Sequence, residues 1–492
     1  MWPLTLAEIA ARIGAAAPPA ETAARPIRGL QWWSEPARAD GLVVAYPMPD
    51  VDTHAVIAER LAEGQGAAIV RADWLRGASL APELAAGCLP VEDPFVAMRA
   101  LGARARRDFV GPVVAVGGSA GKTTTKEMIA AALGGPGRRV VRSPGNNNGW
   151  IGVSYTLLLA DHAREAPPDA VVVEIGIDAP GAMARHAEQV APDLAVLTAL
   201  GEEHLRGFGS ARVAADEEAR LFDRAAARVW LLDDPEIAER AGAARPEDVL
   251  VSSRAKTLAG ARARTLAFAI APGEGPLEHR VRYTWRDGGR VIEGEILAPA
   301  PGRHNATNAA LAVAAALALG RSPDAIAAGL AAFVAPDARE GGRSRRAAIG
   351  AGLLLDDAYN ACPGSVRAAL AMLADASLGA RPRVAVLADM LDLGEASAAL
   401  HEGLADAARA IPGLHLVLAG EAMRALYEVL LADEPRAAIA LAHVPTPEPD
   451  RVMAALAACE APLAGAAVLV KGSRGNRLER VVARIEAVMR SE

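Results

Sequence analysis

The sequence predicts an α/β protein of three units. These are a small α/β unit at residues 1–108, a central parallel sheet with helices on both faces at 109–335, and a doubly wound, Rossmann-like unit at 336–492. Three observations carry this reading. The 492 residues exceed what one hydrophobic core organises. From residue 109 onward, short continuous apolar runs alternate with helical patterns, as expected for strands buried on both faces of a parallel sheet. That alternation is interrupted by the polar stretches "PDARE" and "GGRSRR" at 336–346, which read as a linker and a turn, and then resumes.

The elements follow in order. The opening "MWPLTLAEIAARIG" spaces its apolar residues as on an amphipathic helix and lacks the basic start and apolar block of a signal segment. "GLVVAY" and "GAAIV" are strand-like, and the basic "RARRD" at 104–108 marks a joint. In the central unit, "GPVVAVG", "AVVVEIG" and "LAVLTAL" are buried strands. "HRVRYTWRDGGRVIEGEIL" has two alternating runs around Asp-Gly-Gly and reads as an added hairpin. "NAALAVAAALALG" falls short of the roughly 20 residues a membrane span needs, so it is a close-packed core helix and no membrane insertion is expected. In the last unit the strands are "GLLLDDAY", "RVAVLADM", "LHLVLAG" and "AAVLVKG".

Composition narrows the function. A net charge of −7 argues against nucleic acid as the main partner, so an anionic ligand must be held by local donors. Cys88, Cys362 and Cys459 are far apart and lack metal-ligand spacing, which fits a reducing, cytoplasmic setting without disulfides.

The stretch "VVAVGGSAGKTTTKEMIAAAL" at 113–133 is a strand, a glycine-rich loop and a helix. Gly117, Gly118 and Gly121 let consecutive amides face one point, with Ser119 between them, and Lys122, Thr123 and Thr124 open a helix whose N-terminus is electropositive. Such a loop holds a polyphosphate: its amides cradle the oxygens, Lys122 neutralises charge and Thr123 reaches a bound Mg2+. The pattern departs from GxxxxGK[ST], whose first glycine would fall on Val116. Glu174 ends the apolar "AVVVEIG", where an unpaired carboxylate is costly. "GRHNATN" reads as a helix entry with Asn305 as a plausible cap. The last unit's "DDAYNACP" and "VLVKGSRG" follow apolar strands, where such sheets bind ligands.

Eight stretches in order, "GGSAGKTTTKEM", "GNNNGWIGV", "VVVEIG", "GEEHLRGFGS", "GRHNATNAALA", "LLDDAYNACPGSVRAAL", "VAVLADMLDLGE" and "VLVKGSRGNRLERVV", resemble the Mur ligases, and among them the D-alanyl-D-alanine-adding branch. The resemblance spans nearly the whole chain and is weak in the first hundred residues. It implies an ATP- and Mg2+-dependent ligase that phosphorylates a substrate carboxylate and lets an amine displace the phosphate. It also implies Glu174 and His204 as metal ligands; His304, Asn305, Asp357 and Asn360, with Arg343 from the hinge near 336, as nucleotide contacts; Asn146 and Asn148 toward the acceptor; and Lys471, Ser473 and Arg474 near the incoming amine. Asn308 would begin the helix behind the nucleotide, and Asp389 is a structural carboxylate. The partners implied are a carboxylate acceptor such as a UDP-N-acetylmuramoyl-tripeptide and an amino acid or dipeptide, bound by a monomer whose last unit closes onto ATP.

The departures matter too. The family's carbamoylated lysine corresponds to Glu218, a shorter carboxylate and candidate metal ligand, and the glutamate two residues on is Arg220. Trp150 replaces an acidic residue, and Ala199 an asparagine. In the first unit, where the family meets a uridine diphosphate, the chain reads "QWWSEPAR" and "DTH", retaining Ser34, Asp52 and His54, with Trp32 and Trp33 either stacking on a base or packing in a core. A peptidoglycan ligase, a paralogue with a different carboxylate acceptor, an inactive ATP-binding regulatory subunit and a small-molecule kinase all remain open at this level.

Overall fold

The computed structural model describes residues 2–32, 35–46, 52–161, 167–333, 345–432 and 439–491. At the N-terminus the helix Leu6–Ile13 is fixed by a capping box: Thr5 Oγ1 accepts from the Glu8 amide, and the Glu8 carboxylate accepts from the Thr5 amide. The helix buries Leu6, Ile9 and Ala10. Four parallel strands, Gly29–Gln31, Gly41–Val44, Ala67–Arg71 and Cys88–Val91, form the first sheet. The "RARRD" run closes the last element before the central sheet begins. It is the last turn of a helix, Pro94–Asp108, held because Arg106 reaches the Val190 and Ala191 carbonyls and the Asp193 carboxylate.

The central sheet has nine strands. Seven are mutually parallel, in the spatial order Val140–Arg142, Ala170–Glu174, Val113–Gly117, Leu194–Leu197, Ala227–Leu231, Val249–Ser252 and Arg264–Pro272. The hairpin His279–Asp287 and Arg290–Leu297 then extends the edge antiparallel. The alanine-rich segment is a core helix, Arg303–Ala318, buried along almost its whole length against the loop helix Lys122–Leu133. It starts at Arg303 behind Gly302, five residues before the Asn308 start expected from the sequence. Gly302 has φ +90°, a conformation that suits glycine and leaves no capping role for Asn305.

The last sheet runs Arg345–Ile349, Gly352–Asp357, Ala467–Lys471, Arg383–Ala388, Leu414–Ala419 and Ala440–Val444; only the first strand is antiparallel. Several contacts hold this sheet against the central one: Arg367 pairs with Glu202 at 3.0 Å, the Arg206 amide donates to the Asp392 carbonyl at 3.0 Å, and the Leu277 amide donates to Ser377 Oγ at 2.8 Å. The carboxyl ends of both sheets therefore open onto one cleft, the usual ligand position for such folds. No helix among the described residues is long and apolar enough to cross a membrane. The three cysteines are free and buried.

Candidate active site

The cleft has a volume near 980 Å³ and is lined by the glycine-rich loop on one side and by Asp357, Asn360 and Lys471 on the other. A smaller cavity of about 140 Å³ adjoins it, with Glu203, His204, Asn360 and Cys362 lining both and Ser473 and Arg474 closing the far side.

The loop is clamped from behind. Thr198 Oγ1 donates to the Gly117 and Ala120 carbonyls, the Ser119 amide donates to the Ala199 carbonyl at 2.7 Å, and Ser119 Oγ exchanges bonds with Gly201. Gly118 sits at φ +120°, and a Cβ there would stand 2.5 Å from Thr198 Oγ1, so only glycine fits. Gly121 leads into the helix carrying Lys122, Thr123 and Thr124 along the cleft wall.

Lys122 is nearly buried, donating to the Gly118 carbonyl at 2.6 Å and to Glu203 Oε2 at 2.9 Å. Burial disfavours its ammonium, but Glu203, then Glu218, hold its pKa above the usual lysine range. One helical turn on, Lys126 is fully buried and donates to the Ser143 and Gly145 carbonyls; its Nζ lies 3.4 Å from Glu174 Oε2 and 3.0 Å from Glu127 Oε1. Lys126 thus pins the segment carrying Asn146 and Asn148 beside the loop.

Glu174 is held at the sheet end by register, since it pairs with Val116 of the loop strand. Its Oε1 accepts from Thr123 Oγ1 and Asn148 Nδ2, each at 2.9 Å, while the buried Oε2 accepts no hydrogen bond and faces Lys126. A hydroxyl and a carboxylate with an unsatisfied buried oxygen, beside a phosphate cradle, fit Mg2+, which takes one or two protein oxygens and fills its octahedron with phosphate and water. No cluster of three or more His, Cys, Asp or Glu capable of holding a metal by itself forms among the described residues. His204 and Glu218 are accordingly not assembled with Glu174 into a preformed centre.

Glu218 is buried and accepts from the Gly118 amide at 2.9 Å. Its pKa is pushed up to about 7 by burial and by Glu203, against the pull of Lys122. His204 caps the short helix Leu205–Phe208 in a left-handed conformation, seven residues beyond its strand, with Nε2 3.8 Å from Glu203 Oε1. His304 lines the cleft and burial lowers its pKa to about 4. Asn305 also lines the cleft, yet its side chain donates to the Pro301 carbonyl and accepts from Asn308, so it secures the helix entry.

Across the cleft, Lys471 is buried between Asp357, its register partner on the neighbouring strand, and the Asn360 carbonyl. Ser473 Oγ accepts from the Leu391 amide and donates to the Ala361 carbonyl, which shapes the smaller cavity. The Arg474 guanidinium lies 4.9 Å from the Tyr359 ring centroid. Asp389 caps the Met423 amide, a structural task.

Some expected residues are placed elsewhere. Ser34, Trp33 and Arg343, with the hinge near 336, lie outside the described residues. Trp32 packs against Tyr155 at 4.9 Å between centroids, which is the core alternative. His54 bonds Asp52 through Nδ1 and accepts from the Arg71 amide at Nε2, so both nitrogens are engaged within the first unit. Glu203 and Lys126 escaped the sequence reading. The i, i+4 spacing of Lys126 from Lys122 was a usable signal.

A phosphate-binding loop on one sheet and a buried lysine-carboxylate pair on a second, facing it across one cleft, define a nucleotide-dependent enzyme built on two opposed α/β units. The Mur ligase middle-domain profile matches residues 116–316, and the profile of the Mur ligase glutamate ligase domain matches 342–474. The UDP-N-acetylmuramoyl-tripeptide–D-alanyl-D-alanine ligase of Mycobacterium tuberculosis is 30% identical over 447 residues, covering 85% of this chain and 84% of that protein. The ligase of the same name from Escherichia coli is 34% identical over 329 residues, 65% of this chain and 67% of that protein. The crystal structure of MurF from Acinetobacter baumannii superposes with a TM-score of 0.78 over 99% of both chains at 23% identity, showing the same fold. The chain belongs to the Mur ligase family. It is an ATP-dependent acid–amino-acid ligase.

Replacing Lys126 by Met should destabilise the central unit by about 3 kcal/mol, because it strands Glu174 as a buried charge. The calorimetric midpoint reports this, and an unchanged midpoint would show that the ammonium does not support the loop. Glu218 gives a pH signature. A carboxyl with a pKa near 7 when folded and an ordinary value of 4.5 binds more protons in the native state, so its contribution falls as pH rises between those values. Without nucleotide, the thermal midpoint should decline across that window, and Glu218→Gln should flatten the decline; equal slopes in both proteins would refute the assignment.

Proposed function

We propose that the chain joins D-Ala-D-Ala to the terminal peptide carboxylate of UDP-N-acetylmuramoyl-tripeptide, with release of ADP and phosphate. The observation that carries this reading is the pair of adjoining cavities. The large one has a triphosphate cradle at Lys122 and Thr123 with Glu174 beside it, and the small one, bounded by Ser473 and Arg474, meets it at Glu203 and His204. The names of the Mycobacterium tuberculosis and Escherichia coli relatives support the choice of substrates. In this reading residues 1–108 take the nucleotide end of the acceptor, 109–335 take ATP, and 336–492 take the amine.

The acceptor carboxylate attacks the γ-phosphorus as the bond to ADP breaks. The amine nitrogen then attacks the acyl carbon, inorganic phosphate leaves, and the nitrogen sheds a proton at the junction lined by Glu203 and His204. Thr123 and Glu174 would hold Mg2+, which would supply neutralisation of the charge that develops on the transferring phosphoryl group. Lys122 and the loop amides cradle the phosphates. His304, Asn305, Asp357 and Asn360, with Arg343, hold the nucleotide. Asn146 and Asn148 position the acceptor, and Lys471, Ser473 and Arg474 the amine. A buried Glu218 on the Gly118 amide fixes the loop, and its carboxylate is intrinsic to the chain.

ADP release with Mg-ATP, UDP-N-acetylmuramoyl-tripeptide and D-Ala-D-Ala should require both organic substrates. Turnover without the amine would mark a kinase, and none in an ATP-binding preparation would mark a different acceptor. Lys122→Ala should lower kcat by on the order of 10²–10³ with the fold intact; near-normal turnover in a folded variant would overturn the loop assignment. Bicarbonate should leave the rate unchanged, since Glu218 needs no carbamoylation. A clear stimulation would show that some lysine of the chain is modified.

A further inference from the structure

Glu203 holds a position that an entering triphosphate contests. Its side chain is only 12% exposed, and its Oε2 accepts from Lys122 Nζ at 2.9 Å. Burial opposes the Lys122 ammonium, and Glu203 is the carboxylate that does most to restore it. The loop therefore carries its own anion at the group that neutralises phosphate. A triphosphate and a carboxylate drawn to one buried ammonium repel each other, and that repulsion is weakly screened. Glu218, buried on the Gly118 amide, and Glu174 add to the negative surroundings of Lys122. Phosphate in the loop thus deprives Glu203 of its counter-ion.

What Glu203 meets next follows from where it stands. It lines both the large cavity and the small one, as does His204, whose Nε2 is 3.8 Å from Glu203 Oε1. The small cavity also carries Arg474, 4.9 Å from the Tyr359 ring centroid, together with Asp392 and Leu391, which is 45% exposed. A carboxylate at the junction, a guanidinium on the far side and an apolar flank suit a small amino acid or dipeptide, which brings both an ammonium and a carboxylate. An α-amino group with a pKa of about 8 arrives largely protonated at neutral pH. Resting on the function proposed above, we infer that Glu203 changes partners during the cycle: it releases Lys122 to the phosphates and takes the ammonium of the incoming amine, which it holds at the junction of the two cavities. Glu203 is then a binding residue for the amine, and nucleotide and amine raise each other's affinity through it.

Glu203→Gln removes the charge and keeps the shape. In a calorimetric titration, its Kd for a non-hydrolysable ATP analogue with Mg2+ should fall by roughly threefold or more, because Lys122 has no carboxylate to leave. In the full reaction its KM for D-Ala-D-Ala should rise by roughly tenfold or more, the worth of one charge-assisted hydrogen bond, while the KM for UDP-N-acetylmuramoyl-tripeptide stays within about twofold. A residue that only kept the loop in shape would loosen the nucleotide and leave the amine KM alone. Glu203→Asp keeps the charge but draws it back, so it should show both changes in weaker form, and it carries the test if the Gln variant does not fold. An unchanged or raised Kd for the analogue in a folded variant overturns the exchange, and an unchanged amine KM overturns the ammonium subsite. If the native protein shows no amine-dependent ADP release, the function proposed above fails. The analogue titration needs no amine and then decides the exchange by itself.

Discussion

Everything at this site depends on how two lysines, one turn apart on one helix, are neutralised. Lys122 and Lys126 are both buried, and a buried ammonium is tolerated only with close carboxylates and carbonyls. The carboxylates come from separate parts of the chain: Glu174 from a strand end, Glu203 from the loop after the next strand, Glu218 from the helix behind the phosphate loop. Satisfying the two ammoniums therefore draws the loop, both strand ends and that helix into one arrangement. The carboxylates outnumber the ammoniums, and burial together with Glu203 pushes Glu218 to a pKa near 7. An environment that resists one more negative charge is suited to receive a divalent cation with its triphosphate.

The second half of the cleft obeys the same rule with fewer parts. Lys471 and Asp357 are register partners on adjacent parallel strands, so their charges meet without any loop to guide them. The Asn360 carbonyl completes the ammonium's shell. Strand pairing thus builds that wall, whereas loop glycines and side-chain hydrogen bonds build the opposite one. The difference explains why the phosphate loop needs the clamp of Thr198, Ala199 and Gly201 and the lysine-aspartate wall does not.

Much of this was legible in the sequence because the signals were local. The loop, its flanking strand and helix, the Asp-Gly-Gly hairpin and the Lys471 strand each announce themselves within a dozen residues. Glu203 and Lys126 were obscured because their roles depend on partners about 80 and 48 residues away, Lys122 and Glu174 respectively, and a charge beside a motif reads as solvated surface until packing shows otherwise. The same blindness produced one local misreading: Asn305 looks like a helix cap until Gly302 takes that place.

In the first unit the described candidate side chains serve the fold. Trp32 is committed to Tyr155 and His54 to Asp52 and the Arg71 backbone, so these two side chains are absorbed in holding the unit together. Selectivity near the reaction must then come from groups whose bonding capacity is not exhausted by the fold. On the cleft wall Trp150 is one such group, its ring meeting the Arg99 and Arg185 guanidiniums at 5.9 and 4.6 Å.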